Sequence, residues 1–178
     1  MKIGLIGDRV ADGGGLPGAL DGVGAILAQH FDRLVASGAA AAAFGEMLIE
    51  FCQSGGQLIV ALPPASAAPP MESLQAVEVC RASTHAEYLE ALLGDIDALL
   101  CCPGGLATLH ELHHFLDAGL RTATLDRVRV YLYDRDKYFA PLRLQMQLLV
   151  EAGGAPADLE HAIRPFESPR GLEALLSA

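Results

Sequence analysis

One short segment of the chain combines a glycine turn, a hydroxyl and a carboxylate at spacings that suit anion binding. After a buried apolar run it reads Pro103, Gly104, Gly105, Leu106, Ala107 and Thr108. Glycines let a ligand approach the backbone closely, and the first turn of a following helix presents unpaired N–H groups and a positive dipole end. We therefore predict that this Pro-Gly-Gly turn (residues 103–108) binds a phosphate and opens a helix at about Thr108, whose hydroxyl caps the helix or contacts the phosphate.

Glu111 is the carboxylate best placed to act on a ligand bound at the Pro-Gly-Gly turn. It lies three residues after Thr108, so it can face the same ligand. A carboxylate can stabilise the positive charge that develops on a sugar ring during glycosidic cleavage, and it can orient water. The alternative interpretation of these residues is a plain strand-to-helix turn with a solvated glutamate.

The same helix contains a second pattern, because residues 110–114 match H-E-x-x-H. Two histidines at i and i+4 share a helical face and can bind Zn²⁺, with the glutamate as general base. The longer zinc-protease motif is absent, since Asp117 stands where that motif has a glycine. We expect no metal site and interpret His110, His113 and His114 as polar residues on a partly exposed or dimer-facing helix. His30, His85 and His161 are isolated in the sequence, and no role is assigned to them.

An alternation of strand-length apolar runs and longer helical patterns is predicted to position the turn. Strands are predicted over residues 2–7, 33–37, 57–62, 77–79, 96–102, 129–133 and 163–166. Helices are predicted over residues 17–31, 45–54, 84–93, 108–116, 141–152 and 171–177, with Gly119 ending the helix that follows the turn. Alternation without hairpin signals predicts one α/β domain with a Rossmann-like, doubly wound parallel sheet. Ligands bind such sheets at the carboxyl ends of the strands, which is where the turn lies.

Composition and charge narrow the classes of partner. The chain has 178 residues and a formal net charge of −10, and its 12 basic residues form no cluster. We therefore expect no binding to nucleic acid or to an anionic membrane surface, and no apolar run approaches the length of a membrane span. The four cysteines form no C-x-x-C pair and are interpreted as buried thiols in a reducing compartment, which predicts a cytoplasmic protein.

The turn closely resembles the P-G-G-x-G-T-x-x-E signature of the Lonely Guy family, long mislabelled as lysine decarboxylase-like. The resemblance extends over nearly the whole chain. Residues 34–45 occupy the place of the family's second loop, L-V-Y-G-G-G-x-x-G-L-M-G, and residues 138–142 fit its Y-Y-x-P-L segment. Membership of this family implies a Rossmann-like fold and usually a homodimer.

The resemblance also implies an activity, the hydrolysis of the N-glycosidic bond of a nucleoside 5′-monophosphate to free base and ribose 5-phosphate. Related members bind nucleotides, or carry molybdenum cofactor, without this chemistry. Glu111 is then the expected catalytic residue, and no cofactor is expected. The expected phosphate- and nucleotide-binding residues are Gly7, Arg9, Ser37, Gly38, Gly45, Pro103, Gly104, Gly105, Ala107 and Thr108.

Three departures from the family pattern leave two main hypotheses open. Ala107 and the alanines at residues 39–43 replace glycines, and each adds a methyl group that costs energy if φ must be positive. The family also carries an E-R-K segment whose arginine assists catalysis, and Tyr88 stands at that place, although Arg81 or Arg9 could hold a phosphate instead. The chain is thus either a phosphoribohydrolase or a binding or carrier protein without turnover, and a third reading is a scaffold that keeps the fold only to dimerise.

Overall fold

A single parallel sheet forms the centre of the protein. The computed structural model describes residues 1–8, 20–67, 77–122, 127 and 129–178. The strands of these residues are β1 (Lys2–Ile6), β2 (Arg33–Ser37), β3 (Gln57–Leu62), β4 (Val77–Arg81), β5 (Ala98–Cys101), β6 (Arg129–Tyr133) and β7 (Ile163–Phe166). They lie in the order β4-β3-β2-β1-β5-β6-β7, and every neighbouring pair is parallel.

Helices cover both faces of the sheet. Those of the described residues are α1 (Val23–His30), α2 (Gly38–Ala43), α3 (Gly45–Gln53), α4 (His85–Leu93), α5 (Leu106–Arg121), α6 (Ala140–Glu151), α7 (Asp158–Ala162) and α8 (Pro169–Leu176). One apolar core contains side chains of α1, α2, α3 and α8, and the other contains side chains of α4, α5, α6 and α7. The predicted doubly wound, Rossmann-like α/β fold is therefore confirmed.

Alternate residues of each central strand enter opposite cores, because side chains of a strand alternate between its two faces. In β2, Leu34 and Ala36 belong to the first core and Val35 belongs to the second. All three are fully buried. This double burial explains why the strands read as continuous apolar runs in the sequence and not as an alternating pattern.

The sheet reverses its winding direction at β1. The chain proceeds outward from β1 through β2 and β3 to the edge strand β4, and then returns to place β5 on the other side of β1. Ile6 of β1 and Cys101 of β5 are direct neighbours in register at the carboxyl ends of these strands. A crevice at such a point is where doubly wound sheets bind ligands, and the Pro-Gly-Gly turn follows β5 directly.

The helix after the turn is longer than predicted at both ends. It begins at Leu106 with Gly105 as N-cap, so the prediction that Thr108 caps it is wrong, and Thr108 is its third residue. Gly119 does not end the helix, which continues to Arg121. The hydroxyl of Thr122 donates to the carbonyl of Ala118 at 2.8 Å and satisfies one of the last carbonyl groups.

The alanine run after β2 forms a helix, α2, where the sequence predicted a loop. The Ser37 hydroxyl caps it by accepting a hydrogen bond from the N–H of Ala40 at 3.1 Å, and alanine has the highest helix propensity of all residues. Among the described residues other than glycine, only Ala65, Asp136 and Lys137 have positive φ. The strain considered for alanines at residues 39–43 and at Ala107 therefore does not arise.

Candidate functional site

The end of β1 is fastened to the Pro-Gly-Gly turn by a hydrogen bond and a close backbone approach. The N–H of Asp8 donates to the carbonyl of Pro103 at 3.0 Å. Gly7 has φ +144°, and a Cβ at this residue would lie 2.9 Å from Cys102 Cβ and 2.9 Å from Phe44 Cε2. Both the backbone angle and the lack of space require glycine here.

The turn itself is packed on one side and open on the other. A Cβ on Gly104 would lie 2.2 Å from Thr108 Oγ1 and 2.9 Å from the Asp8 nitrogen, whereas a Cβ on Gly105 would meet nothing within 4 Å. The hydroxyl of Tyr138 donates to the Gly104 carbonyl and holds the packed side in place. The open side therefore exposes backbone at Gly105, directly before α5.

The first turn of α5 faces outward at the same place. Gly105 offers no side chain to cap the helix, and Ala107 is exposed. Leu106 is 86% exposed, which makes it the most exposed large apolar side chain of the described residues. Thr108 is only 3% exposed because it packs beneath Gly104.

Glu111 points into the protein, one turn further along α5. Its side chain accepts a hydrogen bond at Oε1 from the Tyr88 hydroxyl of α4, at 2.5 Å between the oxygens. Glu111 is 7% exposed and Tyr88 is 4% exposed. The Ser37 hydroxyl lies close enough to Tyr88 to lower the pKa of its hydroxyl, so β2, α4 and α5 come together near this carboxylate.

Burial determines the protonation of this pair. It raises the pKa of the Glu111 carboxyl above its ordinary value, and the nearby Asp8 carboxylate raises that pKa further, while the hydrogen bond from Tyr88 opposes the rise. Burial also raises the pKa of the Tyr88 hydroxyl, and the negative charge of Glu111 adds to this effect. The proton therefore stays on the tyrosine, and Glu111 is the acceptor.

The structure brings most of the predicted site residues to one edge of the sheet. Gly7, the Pro-Gly-Gly turn and Glu111 lie at the carboxyl ends of β1 and β5. Ser37, the last residue of β2, lies beside Tyr88, which in turn hydrogen-bonds to Glu111. Gly38 is the first residue of α2, and a Cβ added to it would lie 2.7 Å from Leu62 Cδ2. Gly45 is the first residue of α3, and a Cβ added to it would meet nothing within 4 Å.

Of the two arginines expected as alternative phosphate ligands, Arg81 is the one whose position the structure describes. Arg81 ends the edge strand β4, which β3 and β2 separate from β1, and its guanidinium donates to the Ser66 carbonyl at 2.8 Å. Arg9 lies outside the described residues.

Sequence reasoning missed the residues that hold the turn and the carboxylate. The sequence indicates Tyr138 only as part of a segment that fits the family. In the structure its hydroxyl donates to the Gly104 carbonyl and so stabilises the conformation of the turn. Asp8 was assigned no role, yet its backbone fixes the turn and its carboxylate acts on Glu111. The sequence singles out Tyr88 only through the resemblance, as the residue expected at the place of the family's arginine.

The histidines of the H-E-x-x-H pattern do not form a zinc-protease arrangement with Glu111. His110 and His114 are exposed, whereas Glu111 is buried against Tyr88. The described residues contain no group of three or more histidine, cysteine, aspartate or glutamate side chains that could hold a metal ion. No helix in the same part of the chain has the length and apolar character needed to cross a membrane.

Comparisons with known proteins give one family and one fold. The family model described as possible lysine decarboxylase matches residues 41–175. The crystal structure of TM1055, a structural genomics target, matches with a TM-score of 0.66 and 16% sequence identity, covering 99% of this chain and 98% of that one. At this identity the likeness shows the fold alone. No curated protein matches the chain. The family match covers well over half of the sequence, so this chain belongs to the possible lysine decarboxylase family, the Lonely Guy family whose signature the Pro-Gly-Gly turn resembles.

Proposed function

We propose that the chain binds a nucleoside 5′-monophosphate at the carboxyl ends of β1 and β5. The observation that carries this proposal is the placement of the buried Glu111 carboxyl one helical turn beyond an open glycine turn. A nucleoside monophosphate carries a phosphate and a sugar in one molecule. It therefore needs an anion site for the phosphate and, close to that site, a carboxylate that can act on the sugar. Family membership supports the same class of ligand.

The phosphate is assigned to the N-terminus of α5. This helix has 16 residues, and its first N–H groups lack intrahelical acceptors. Its dipole places partial positive charge at the same end, which favours an anion. A ligand can reach this backbone because the space beside Gly105 is open.

Glu111 is assigned to the sugar. In N-glycosidic hydrolysis the bond from C1′ to the base nitrogen breaks, the base leaves with a proton, and a water oxygen bonds to C1′. The carboxylate stabilises the positive charge that develops on the ribose and orients this water. A buried carboxyl with a raised pKa is a typical acid–base group of an active site.

Binding without turnover is a second candidate function, and one observation favours it. Tyr88 is expected at the place where the family has its catalytic arginine. Its hydroxyl donates a hydrogen bond to Oε1 of Glu111. A neutral hydroxyl cannot supply the charge and the two-pronged geometry of a guanidinium. A protein with this pair could hold a nucleotide and release it unchanged.

One experiment separates the two functions. The wild-type protein and the Glu111→Ala variant are incubated with a panel of nucleoside 5′-monophosphates, and free base is measured by chromatography. The hydrolase is supported by base release that the variant loses, and it is rejected by equal release from both proteins or by none. In the absence of release, a nucleotide that raises the melting temperature and is recovered intact supports the carrier, whereas no shift with any nucleotide rejects both.

We also propose that the protein is a cytoplasmic homodimer. Leu144, Leu148 and Leu149 are exposed on α6, which gives this helix an outward apolar face that a second copy would cover. The four cysteines are all free, which supports a reducing compartment. Light scattering coupled to size exclusion tests the dimer, and a monomer at micromolar concentration would contradict it.

A further inference from the structure

Two histidines that are remote in the sequence meet on the surface of α4 and α5. His85 is the first residue of α4, and its Nε2 lies 3.2 Å from Nε2 of His110 in α5. The two rings are stacked, with centroids 5.3 Å apart and planes inclined by 26°. Both side chains are exposed. The pair lies on the outside of the same two helices that Tyr88 and Glu111 join on the inside.

The chemistry of imidazole limits what can stand between these nitrogens. A neutral imidazole has one N–H donor and one acceptor nitrogen. Two Nε2 atoms that face each other are satisfied in one of two ways. If one ring carries its proton on Nε2, an N–H···N hydrogen bond joins them; if both rings carry their protons on Nδ1, both Nε2 lone pairs can bind the same metal ion. Neutral imidazole is the commonest metal ligand in proteins, and it suits Zn²⁺ and its neighbours in the first transition row.

The separation of the nitrogens fits the edge of a metal coordination shell. Zinc–nitrogen bonds of about 2.0–2.1 Å at the tetrahedral angle place two nitrogen ligands about 3.3 Å apart. The distance of 3.2 Å between His85 and His110 needs almost no rearrangement to match this value. The net charge of −10 also favours a cation over an anion at the surface.

We propose that His85 and His110 form a two-histidine site for one divalent transition-metal ion of the zinc class. Water completes the coordination shell, because the described residues offer no third protein ligand in a suitable group. The Glu111 carboxyl takes no part, since it points inward to Tyr88. The site thus differs from the zinc-protease arrangement that the H-E-x-x-H pattern indicates, and it does not depend on nucleotide binding.

A metal at this site joins two helices, so it stabilises the folded protein. An ion that binds the native state and not the unfolded chain raises the free energy of unfolding with its concentration. The melting temperature should therefore rise with added ZnCl₂ and return to the starting value with a chelator. This effect is expected with no nucleotide present.

The decisive experiment is calorimetric titration of the wild-type protein and four histidine variants with ZnCl₂. We expect one saturable site that is weakened at least about tenfold in His85→Gln and in His110→Gln, since even the loss of a partner that only orients a ligand costs this much. His113→Gln is the matched control, because its ring contacts the Leu109 carbonyl of its own helix at 2.6 Å and should leave the site unchanged.

Three results would overturn the proposal. One is the absence of saturable zinc binding at millimolar concentration, and another is a site that survives in both His85→Gln and His110→Gln. The third is a site that His114→Gln abolishes and His85→Gln keeps, which would assign the metal to the i, i+4 pair of α5, whose ring centroids lie 6.5 Å apart.

A measurement on the wild-type protein tests the same proposal even if the histidine variants fail to fold. Diethyl pyrocarbonate modifies free imidazoles, and mass spectrometry of the resulting peptides reports each histidine separately. Zinc should protect His85 and His110 together and leave His113 and His161 reactive. Equal modification of His85 and His110 with and without zinc would contradict the proposal.

Discussion

Tyr88 holds Glu111 through a hydrogen bond of 2.5 Å from its hydroxyl to Oε1 of the carboxylate. The tyrosine hydroxyl is a neutral donor and not a cation, so the carboxylate keeps the raised pKa that burial gives it. A guanidinium at this distance would lower that pKa instead. The protonation of Glu111 therefore depends on its burial and on its hydrogen bond from the Tyr88 hydroxyl.

Removing the Tyr88 hydroxyl should destabilise the protein. In Tyr88→Phe the buried carboxylate loses its donor, and a hydrogen bond to a charged group contributes about 1.5–3 kcal/mol. We expect a loss of about this size in the free energy of unfolding, measured by urea denaturation at a pH where Glu111 is ionised. Tyr131→Phe is a matched control, since Tyr131 is a tyrosine of similar exposure that belongs to the core on the other face of the sheet. Equal losses in the two variants would contradict the assigned role of the pair.

The pH dependence of stability should change when Glu111 is replaced by glutamine. Because the folded pKa of Glu111 lies above its ordinary value of 4.5, the native state keeps a proton that the unfolded chain releases. The contribution of Glu111 to the free energy of unfolding therefore falls as the pH rises from about 4.5 through the folded pKa. Glutamine cannot ionise, so the stability of Glu111→Gln relative to wild type should increase across this window and then level off. Urea midpoints at a series of pH values check this, and a constant difference between the two proteins would show that Glu111 titrates normally.

The two glycines of the turn should respond differently to the same substitution. In Gly104→Ala the new methyl group would lie 2.2 Å from Thr108 Oγ1 and 2.9 Å from the Asp8 nitrogen. Overpacking of this kind costs about 1–3 kcal/mol, so the melting temperature should fall. Gly105→Ala places its methyl group in open space at φ −84° and should leave stability close to that of wild type. Similar melting temperatures for the two variants would mean that the turn is not packed as described.

Tyr138 should affect ligand binding through its hydrogen bond to the Gly104 carbonyl. Tyr138→Phe keeps the ring against Phe139, at 4.9 Å between centroids, but removes the donor to the Gly104 carbonyl. We expect a loss of about 0.5–1.5 kcal/mol in stability, and an affinity for nucleoside monophosphate that is weaker by up to about tenfold. Calorimetric titration with AMP provides the measurement. Unchanged affinity would show that the hydrogen bond does not shape the phosphate site.

The sequence predicted the strands better than the contacts between side chains. The bounds of β2, β3, β6 and β7 agree with prediction to the residue. For β2, β3 and β6 the reason is that strands buried on both faces form apolar runs with abrupt ends. The resemblance to a family loop rich in glycine predicts a loop where the structure has α2, although the helix propensity of alanine and the cap that Ser37 offers indicate a helix.

The contacts at the site depend on residues that are distant along the chain. Tyr138 reaches Gly104 across 34 residues, and His85 reaches His110 across 25. No local periodicity encodes such pairs, since they arise only when parallel strands bring their following loops and helices to one edge. Family resemblance located Glu111 and the turn, but it could not show that Tyr88 would bond to the carboxylate.

A crystal structure of the protein soaked with AMP is the measurement that tests the central proposal most directly. The account predicts phosphate density against the N–H groups of Gly105, Leu106 and Ala107, with the ribose, or ribose 5-phosphate after hydrolysis, beside Glu111. Phosphate density elsewhere on the molecule, or no ligand density at a concentration that saturates binding in solution, would contradict it.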